Sequence, residues 1–196
     1  MTHSDSSIAC ESARLAAQLA RRKAILRNTL LATRNGLSPN QRRDATEAIG
    51  RQLRDCSADV VATFWPIRGE PDLRATWQEL ARRGVTLALP LVTSTDAPLT
   101  FVAWTPGQPM TRDQFGVAIP ADPVRNVTPD LILIPCLGVN AQRVRLGYGG
   151  GLYDRTLAAM PAAATLGIAF DCARVEFDAE PHDIPLQAVI TESGRY

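Results

Sequence analysis

The residues best suited to chemistry are four glycines within residues 147–151, in the order Gly-Tyr-Gly-Gly-Gly. Glycine lets the backbone take positive φ angles and lets a ligand approach the amides without a Cβ in the way. A helix that begins just after such a turn directs its free N–H groups, and the positive end of its dipole, into the same space. Arg145, just before the turn, can add charged hydrogen bonds. The pattern therefore predicts a turn that binds phosphate groups.

Two common nucleotide-binding motifs do not fit this run. No Lys-Ser or Lys-Thr pair follows the glycines, as a Walker A loop requires, and Leu152 occupies the place of the third glycine of GxGxxG. The alternative is a glycine turn that only connects a strand to a helix. Because four glycines stand between Arg145 and Asp154, phosphate binding is the favoured interpretation.

Asp154 and Tyr153, which follow the glycines, each allow two interpretations. An aspartate in the first turn of a helix stabilises the helix dipole and needs no ligand. A carboxylate beside phosphates is repelled unless a cation lies between them, and Mg²⁺ is usually held by one or two carboxylates plus phosphate oxygens. Asp154 is therefore a candidate Mg²⁺ ligand if phosphates bind here. Tyr153 is either a core residue or a flank for an aromatic substrate.

The elements that must position this turn alternate between helices and strands. Apolar spacing predicts a helix over 9–33, Ser38-Pro39 is typical of the start of a second helix that runs to about residue 55, and a third helix over 73–83 ends at Gly84. A fourth helix is expected over 150–159. Residues 1–8 are expected to form a disordered tail, 105–129 a surface excursion and 181–185 a loop. Apolar runs predict strands at 59–65, 85–92, 99–104, 131–135, 165–170 and 188–191.

This alternation predicts an α/β fold with a mostly parallel sheet covered by helices on both faces, a Rossmann-like three-layer arrangement with an N-terminal helical segment. We expect one such domain over 9–196. Ligands of parallel sheets bind beyond the carboxyl ends of the strands. The glycine turn follows the strong strand at 131–135, so it is expected at that edge of the sheet.

Composition excludes several classes of protein. The 196 residues carry a net charge of only +1, which argues against nucleic acid as a partner, although the basic residues of the first helix form either a solvated face or an anion site. The four cysteines form no CxxC pair and there are only two histidines, so a zinc site is not expected. No signal peptide or membrane span is evident. We expect a cytoplasmic protein with free thiols, monomeric or alternatively dimeric, that binds small molecules.

Residues 145–155, Arg-Leu-Gly-Tyr-Gly-Gly-Gly-Leu-Tyr-Asp-Arg, closely resemble the signature of the 5-formyltetrahydrofolate cyclo-ligase family, and the resemblance extends over about 22–191. Residues 23–27 are similar to the basic motif that helps this family bind ATP. Glu70 matches a glutamate that contacts the folate, Trp65 falls at an apolar position beside the folate, and Asp183 in 181–185 matches a second Mg²⁺ ligand.

The resemblance implies three sets of site residues and no catalytic side chain, because phosphoryl transfer needs alignment and charge neutralisation. The metal ligands would be Asp154 and Asp183. The residues expected to contact the reduced folate are Trp65, Glu70, Tyr148, Leu152 and Tyr153. The residues expected to contact ATP are Lys23, Arg27, Arg145, Leu146, Gly147, Tyr148, Gly149, Gly150, Gly151 and Tyr153.

The chain also departs from the family pattern. Asn140 stands where the family usually has Asp, Arg143 where it usually has Gly, and Leu152 where it usually has Tyr; a glutamate common in the middle segment is missing around 116–120. If position 140 helps to hold the metal, Asn140 would weaken Mg²⁺ binding, because an amide carries no charge.

The reaction implied by the resemblance couples ATP cleavage to ring closure of 5-formyltetrahydrofolate. The formyl oxygen attacks the γ-phosphorus, N10 attacks the activated carbon, and phosphate leaves to give 5,10-methenyltetrahydrofolate. Two alternatives stay open. The first is a divergent member that binds nucleotide or folate without efficient catalysis, which Asn140 and Arg143 motivate. The second is an RNA-associated protein that uses the basic first helix, against which the balanced charge counts.

Overall fold

The structure, a computed structural model, describes residues 3–55, 57–123 and 125–196, and in the first helix it describes side chains from Arg14 onward except that of Ala16. The helices are α1 (His3–Asn35), α2 (Pro39–Gln52), α3 (Arg74–Arg82) and α4 (Leu152–Ala159), with a short 3-10 helix at Asp171–Ala173. The strands are β1 (Val60–Ala62), β2 (Thr86–Leu91), β3 (Thr100–Trp104), β4 (Met110–Arg112), β5 (Ala118–Pro120), β6 (Leu131–Pro135), β7 (Gly138–Val139), β8 (Arg145–Leu146), β9 (Ala164–Ile168), β10 (Ala188–Thr191) and β11 (Gly194–Arg195).

Seven of these strands form one sheet in the order β11-β10-β9-β6-β1-β2-β3. The five strands from β10 to β2 run parallel to one another, and β3 and β11 pair antiparallel at the two edges. Parallel neighbours need a crossover connection, which α3 supplies between β1 and β2. The prediction of a mostly parallel α/β sheet is confirmed.

Side chains of the central strands alternate between two apolar layers. Val61 packs with Ile49 of α2 and Trp77 of α3, whereas Ala62 packs with Leu157 of α4 on the opposite face. Both strand residues are fully buried. Strands covered on both faces must be apolar throughout, which is why they read as continuous apolar runs in the sequence. The predicted three-layer arrangement is therefore present.

The second helix begins at its sequence signal, whereas the first begins earlier than predicted. The Ser38 hydroxyl accepts a hydrogen bond from the N–H of Gln41, whose side chain accepts one from the N–H of Ser38, so α2 starts at a capping box. The structure has helix from His3, where we expected a disordered tail over 1–8; Met1 and Thr2 lie outside the described residues. Residues 4–7 are Ser and Asp, which suit the first turn of a helix, so the boundary at residue 9 was placed too late.

Two short hairpins were not predicted. The expected surface excursion over 105–129 contains the antiparallel pair β4 and β5, whose turn is held by the Asp113 carboxylate accepting from the N–H groups of Phe115 and Val117. The pair β7 and β8 has two residues in each strand and leads directly into the glycine turn. Strands this short show too few residues for an apolar period to be recognised.

The turn between β7 and β8 explains two departures from the family pattern. The Asn140 side-chain oxygen accepts hydrogen bonds from the N–H groups of Gln142 and Val144, and its amide nitrogen donates to the Phe177 carbonyl. Arg143 has a φ of 60°, a left-handed conformation that favours glycine. Its Nε donates to the Leu186 carbonyl at 3.0 Å. Both residues therefore shape this turn.

Two further observations bear on the sequence predictions. Cys136 and Cys172 are free thiols, as expected, and the side chains of Cys10 and Cys56 lie outside the described part of the chain. Among the described residues, no helix combines the length and the apolarity needed to cross a membrane. The division into a tail and one domain stays a prediction.

The strain at Arg143 can be measured with two substitutions. Arg143→Ala removes the hydrogen bond to Leu186 and keeps a side chain in the left-handed region, so we expect the free energy of unfolding to fall by about 1 kcal/mol. Arg143→Gly loses the same bond but relieves the strain, so it should be about 1 kcal/mol more stable than Arg143→Ala. Urea unfolding of both variants checks this. Equal stability of the two would contradict the strain.

Candidate active site

A cavity of about 530 Å³ opens at the carboxyl ends of the central strands. Its walls include Phe64 and Trp65, which follow β1, and Pro135, the last residue of β6. The chain continues from β1 to β2 on one side of β1, whereas β6 and the later parallel strands lie on the other side. Open parallel sheets bind ligands at such a switch point. The sheet thus places a cavity where the sequence predicts a ligand.

The cavity collects every site residue that the sequence and the resemblance single out. The first helix contributes its basic motif, the turn after β1 contributes an aromatic and an acidic residue, and the loop after α4 and β9 contributes an aspartate. These lining residues are Lys23, Arg27, Trp65, Glu70, Arg145, Leu146, Gly147, Tyr148, Gly149, Gly150, Gly151, Leu152, Tyr153, Asp154 and Asp183.

The glycine turn presents backbone donors to this cavity. Gly149 and Gly151 have φ angles of 96° and 63°, which glycine takes without strain. Arginines hold the turn by its carbonyls: Arg27 Nε donates to Gly147 O at 2.8 Å, and Arg155 donates to Gly150 O at 2.6 Å. Within the described part of the chain, no backbone carbonyl accepts a hydrogen bond from the amides of 147–151. These donors are therefore available to an anion.

Two of the cations that line the cavity are paired with carboxylates. Arg145 donates to Asp154 at 2.5 Å and to the Ile184 carbonyl at 3.1 Å, and its side chain is only 5% exposed. Lys23 lies 3.0 Å from Glu180 and 3.3 Å from Asp183. A cation taken out of water needs such partners, because desolvation is costly. The arrangement brings two positive and three negative groups to one wall.

The oxygen ligands for a cation lie on that same wall. Among the described residues, Glu180, His182 and Asp183 offer ligand atoms within 4.8 Å of one another. Asp154 is not a member of that group, although it lines the same cavity. Carboxylate oxygens are the ligands that Mg²⁺ prefers, so the chemistry of Asp154 and Asp183 fits that ion. Glu180 was not singled out in the sequence.

The cavity lining also contains an acidic and aromatic cluster, which meets the glycine turn at Tyr148. Glu70 is 4% exposed; its Oε2 accepts from the N–H of Ile67 at 3.0 Å and its Oε1 from the Tyr148 hydroxyl at 2.9 Å. Burial raises the pKa of Glu70, and these hydrogen bonds and the nearby Arg34 and Arg68 oppose that rise. The carboxylate is thus held in place with lone pairs left for a ligand.

The aromatic side chains that line the cavity differ in how far they are buried. Trp65 is half-buried and packs edge-to-face on Trp104, with ring centroids 6.0 Å apart. Leu152 and Tyr153 pack against the α4 side of the core, and burial raises the pKa of Tyr153 well above its ordinary value. Tyr153 is consequently both a packing residue and a cavity wall, so the two interpretations of the sequence hold together.

Position 140 does not take part in this cavity. Asn140 is 3% exposed, its side-chain amide makes three hydrogen bonds in and around the β7–β8 turn, and it is not among the lining residues. The condition for weaker Mg²⁺ binding, a metal held at position 140, finds no support in the cavity lining. The effect of Asn140 on Mg²⁺ binding stays a prediction.

Several lining residues were missed in the sequence. The tip of the β4–β5 hairpin brings Asp113, Phe115 and Val117 to the mouth of the cavity, and Arg68 precedes the acidic turn. No local pattern marked the hairpin residues as functional. Arg34 contacts Tyr148 from α1, and its spacing of seven from Arg27 would have placed the two arginines on one helix face.

The fold and the cavity together define an α/β protein whose glycine turn lines a cavity at the carboxyl edge of its sheet. The family model described as the 5-formyltetrahydrofolate cyclo-ligase family matches residues 20–192. The chain belongs to that family, a family of ligases in folate metabolism. The resemblance noted in the sequence is confirmed.

Curated relatives and solved structures agree with this assignment. The chain is 31% identical to the 5-formyltetrahydrofolate cyclo-ligase of Escherichia coli K12 over 172 residues, which cover 82% of this chain and 94% of that protein. Identity to the Mycolicibacterium smegmatis enzyme of the same name is also 31%, over 87% of this chain and 94% of the relative. The NMR structure of Aquifex aeolicus 5,10-methenyltetrahydrofolate synthetase has a TM-score of 0.75 at 27% identity, covering 88% of this chain and 91% of that one. The Mycoplasma pneumoniae synthetase has a TM-score of 0.71 at 24% identity, covering 87% and 98%, which supports the fold.

The Arg145–Asp154 pair should contribute to stability without any ligand. Arg145→Met leaves the Asp154 carboxylate and the Ile184 carbonyl without their donor, so we expect the free energy of unfolding to fall by about 1–3 kcal/mol. The control is Arg43→Met, which breaks an ion pair with both side chains more than 60% exposed and should change stability by less than about 0.5 kcal/mol. Urea unfolding compares them. Indistinguishable losses would contradict a structural role for Arg145.

Proposed function

We propose that the protein converts 5-formyltetrahydrofolate to 5,10-methenyltetrahydrofolate in a reaction that consumes ATP, requires Mg²⁺ and releases ADP and phosphate. The observation that carries this proposal is that one cavity is lined both by the glycine turn, with its free amides and neighbouring cations, and by Glu70 and Trp65. Two substrates that react with each other need adjacent sites. The family and the names of the relatives agree with these substrates.

The phosphates of ATP would lie on the glycine turn. The amides of 147–151 would donate to phosphate oxygens, with the first turn of α4 directed the same way. Lys23 and Arg145, now paired with carboxylates, would turn to the phosphates when these enter. Arg27 would hold the turn through Gly147, and its guanidinium lies beside Gly149.

Asp154 and Asp183 would hold Mg²⁺, and Glu180 is a third candidate ligand. Bound Mg²⁺ neutralises charge on the phosphates during transfer. These carboxylates would then exchange their present arginine and lysine partners for the metal. The exchange keeps every buried charge compensated before and after binding.

The reduced folate would occupy the aromatic wall. Glu70 would accept hydrogen bonds from N–H groups of the pterin ring, and Trp65 with Tyr153 would flank its planar surface. Leu152 and the ring of Tyr148 would complete the contact between the folate and the glycine turn. The formyl group would then face the γ-phosphate.

The chemistry follows from that alignment. The formyl oxygen is a poor leaving group, so it attacks the γ-phosphorus, ADP departs, and an imidate-type phosphate forms. N10 attacks the same carbon, the carbon–oxygen bond breaks, and phosphate leaves as N10 loses its proton. No side chain forms a covalent bond in this scheme. The protein positions the reactants and stabilises charge, which are the main contributions to phosphoryl transfer.

The alternative of a binding protein without efficient catalysis loses its motivation. It rested on Asn140 and Arg143, and both residues shape the β7–β8 turn outside the cavity walls. The RNA alternative gains no support from a chain with a net charge of +1. The cytoplasmic location and the monomeric state stay predictions.

The test of the function is an optical assay. Methenyltetrahydrofolate absorbs at longer wavelength than 5-formyltetrahydrofolate, so we expect the purified protein with ATP, Mg²⁺ and that substrate to generate the absorbance, with one ADP formed for each product. Omission of ATP is the control. Binding of ATP and folate without turnover would favour the binding protein, and absence of both would reject the proposal.

The metal role of Asp154 has a matched control in Asn140. Asp154→Asn removes a carboxylate that lines the cavity, so we expect the Mg²⁺ concentration for half-maximal turnover to rise about tenfold or more. Asn140→Asp adds a carboxylate at a position outside the cavity and should leave that concentration within about twofold of the wild type. Identical Mg²⁺ titrations for wild type and Asp154→Asn would reject Asp154 as a ligand.

A further inference from the structure

Arg34, Tyr148 and Glu70 form a chain of hydrogen bonds between α1, the glycine turn and the acidic turn after β1. Arg34 Nη2 lies 2.7 Å from the Tyr148 hydroxyl oxygen, which lies 2.9 Å from Glu70 Oε1. Arg34 and Glu70 are each only 4% exposed. Buried arginines are rare, because a charge taken out of water must be compensated. The burial of Arg34 therefore indicates a specific role for its guanidinium.

The donor inventory gives this chain a direction. An arginine guanidinium has N–H donors and no acceptor, so the Tyr148 oxygen must accept from Arg34. The phenol has a single proton, which is then directed to Glu70. We propose that Arg34 is a positioning residue that orients the Tyr148 hydroxyl and thereby keeps Glu70 an acceptor for N–H groups of the bound substrate.

The surrounding contacts fix both ends of the chain. Arg42 donates to the Arg34 carbonyl at 2.8 Å and to the Gly69 carbonyl at 2.6 Å, so it joins α1 to the acidic turn. The Arg68 guanidinium lies over the Tyr148 ring, 4.7 Å from its centroid. Arg34 Nε is buried and has no partner among the described residues. Arg34 therefore keeps its hydrogen bond to Tyr148 although its buried Nε has no hydrogen-bond partner in the part of the chain that the structure describes. An apolar side chain would fill the same space without leaving a buried donor unpaired.

Protonation of Glu70 would reverse its role, because a carboxylic acid donates through its O–H. The charged or titratable groups that face Glu70 are Arg34, Arg68, Tyr148, Tyr153 and Cys136. Burial raises the pKa of Tyr148 and that of the Cys136 thiol to about 12, and it raises the pKa of Tyr153 as well. Burial raises the pKa of the Glu70 carboxyl as well, so Glu70 keeps its proton to higher pH than an exposed glutamate does.

The sign of the expected pH effect follows from the donors. The Arg34 charge and the Tyr148 hydrogen bond both lower the pKa of Glu70 against the upward effect of burial. Removing either lets that pKa rise, so a larger fraction of Glu70 is protonated at a given acidic pH. Substrate affinity that requires the ionised carboxylate is then lost at higher pH than in the wild type. At a pH well above the Glu70 pKa of both the wild type and the variant, Glu70 is ionised in both proteins, so their affinities for the substrate become similar.

This inference rests on the proposed function, and its test uses direct binding as well as turnover. The proteins are the wild type, Arg34→Met, Tyr148→Phe and the control Arg51→Met, which removes an exposed arginine from α2. Calorimetry gives the Kd of 5-formyltetrahydrofolate, and the optical assay gives KM and kcat, from about pH 6 to about pH 9. Each Kd, KM and kcat of a variant is divided by the wild-type value at the same pH. This ratio removes the effect of titrating groups that all the proteins share.

We expect the folate Kd and KM of Arg34→Met and Tyr148→Phe to exceed the wild-type values, by about tenfold where the difference is largest, and the ratio to fall as the pH rises. The KM for ATP of Arg34→Met should stay within about twofold of the wild type throughout, and Arg51→Met should match the wild type in every measurement. A fifth protein, which carries both Arg34→Met and Tyr148→Phe, should resemble the two single variants, because each substitution alone already breaks the same chain of hydrogen bonds.

A ratio that does not change with pH would overturn the positioning role, and so would an unchanged folate Kd in Tyr148→Phe. Tyr148→Phe loses only a hydroxyl on a half-buried ring, so it keeps the test decisive even if Arg34→Met does not fold. Failure of the proposed function has a different signature. In that case the wild type itself shows no turnover or no folate binding at any pH.

Discussion

Charge compensation inside one cavity is the constraint on which the rest of the structure depends. A site for a polyanion needs positive groups, yet a cation withdrawn from water is costly unless it has a partner. The chain meets both demands with Arg145 on Asp154 and Lys23 on Glu180 and Asp183. The carboxylates serve as partners for the cations now, and in the proposed function they become ligands of the metal that accompanies the phosphates.

This constraint explains why four separate elements meet at the cavity. The glycine turn supplies neutral donors, which need no counterion, and α4 begins directly behind it. Three basic residues of α1, Lys23, Arg27 and Arg34, are spaced by four and seven residues. This spacing places them on one face of the helix, and Lys23 and Arg27 line the cavity. Another part of α1 packs against the body of the protein, where Leu30 lies against Leu137 and Leu146.

The sequence predicts what is local and misses what is assembled at a distance. The parallel strands are apolar runs and the glycine turn is contiguous, so both could be recognised from neighbouring residues. The β7–β8 hairpin could not, because each strand has two residues, and without it Asn140 looked like a lost metal ligand. Arg34 was missed for a related reason: its partner Tyr148 is 114 residues away, and no local pattern relates them.

The lack of an activated nucleophile near Glu70 follows from the same packing. Burial raises the pKa of the Cys136 thiol and that of Tyr148 to about 12, so both stay protonated at neutral pH and neither is a strong nucleophile. A protein with such neighbours is limited to orienting reactants and balancing charge. Phosphoryl transfer needs little more than that, because the attacking oxygen belongs to the substrate. In the proposed function, the burial that makes these groups unreactive also fixes the donors and acceptors that would hold the substrates.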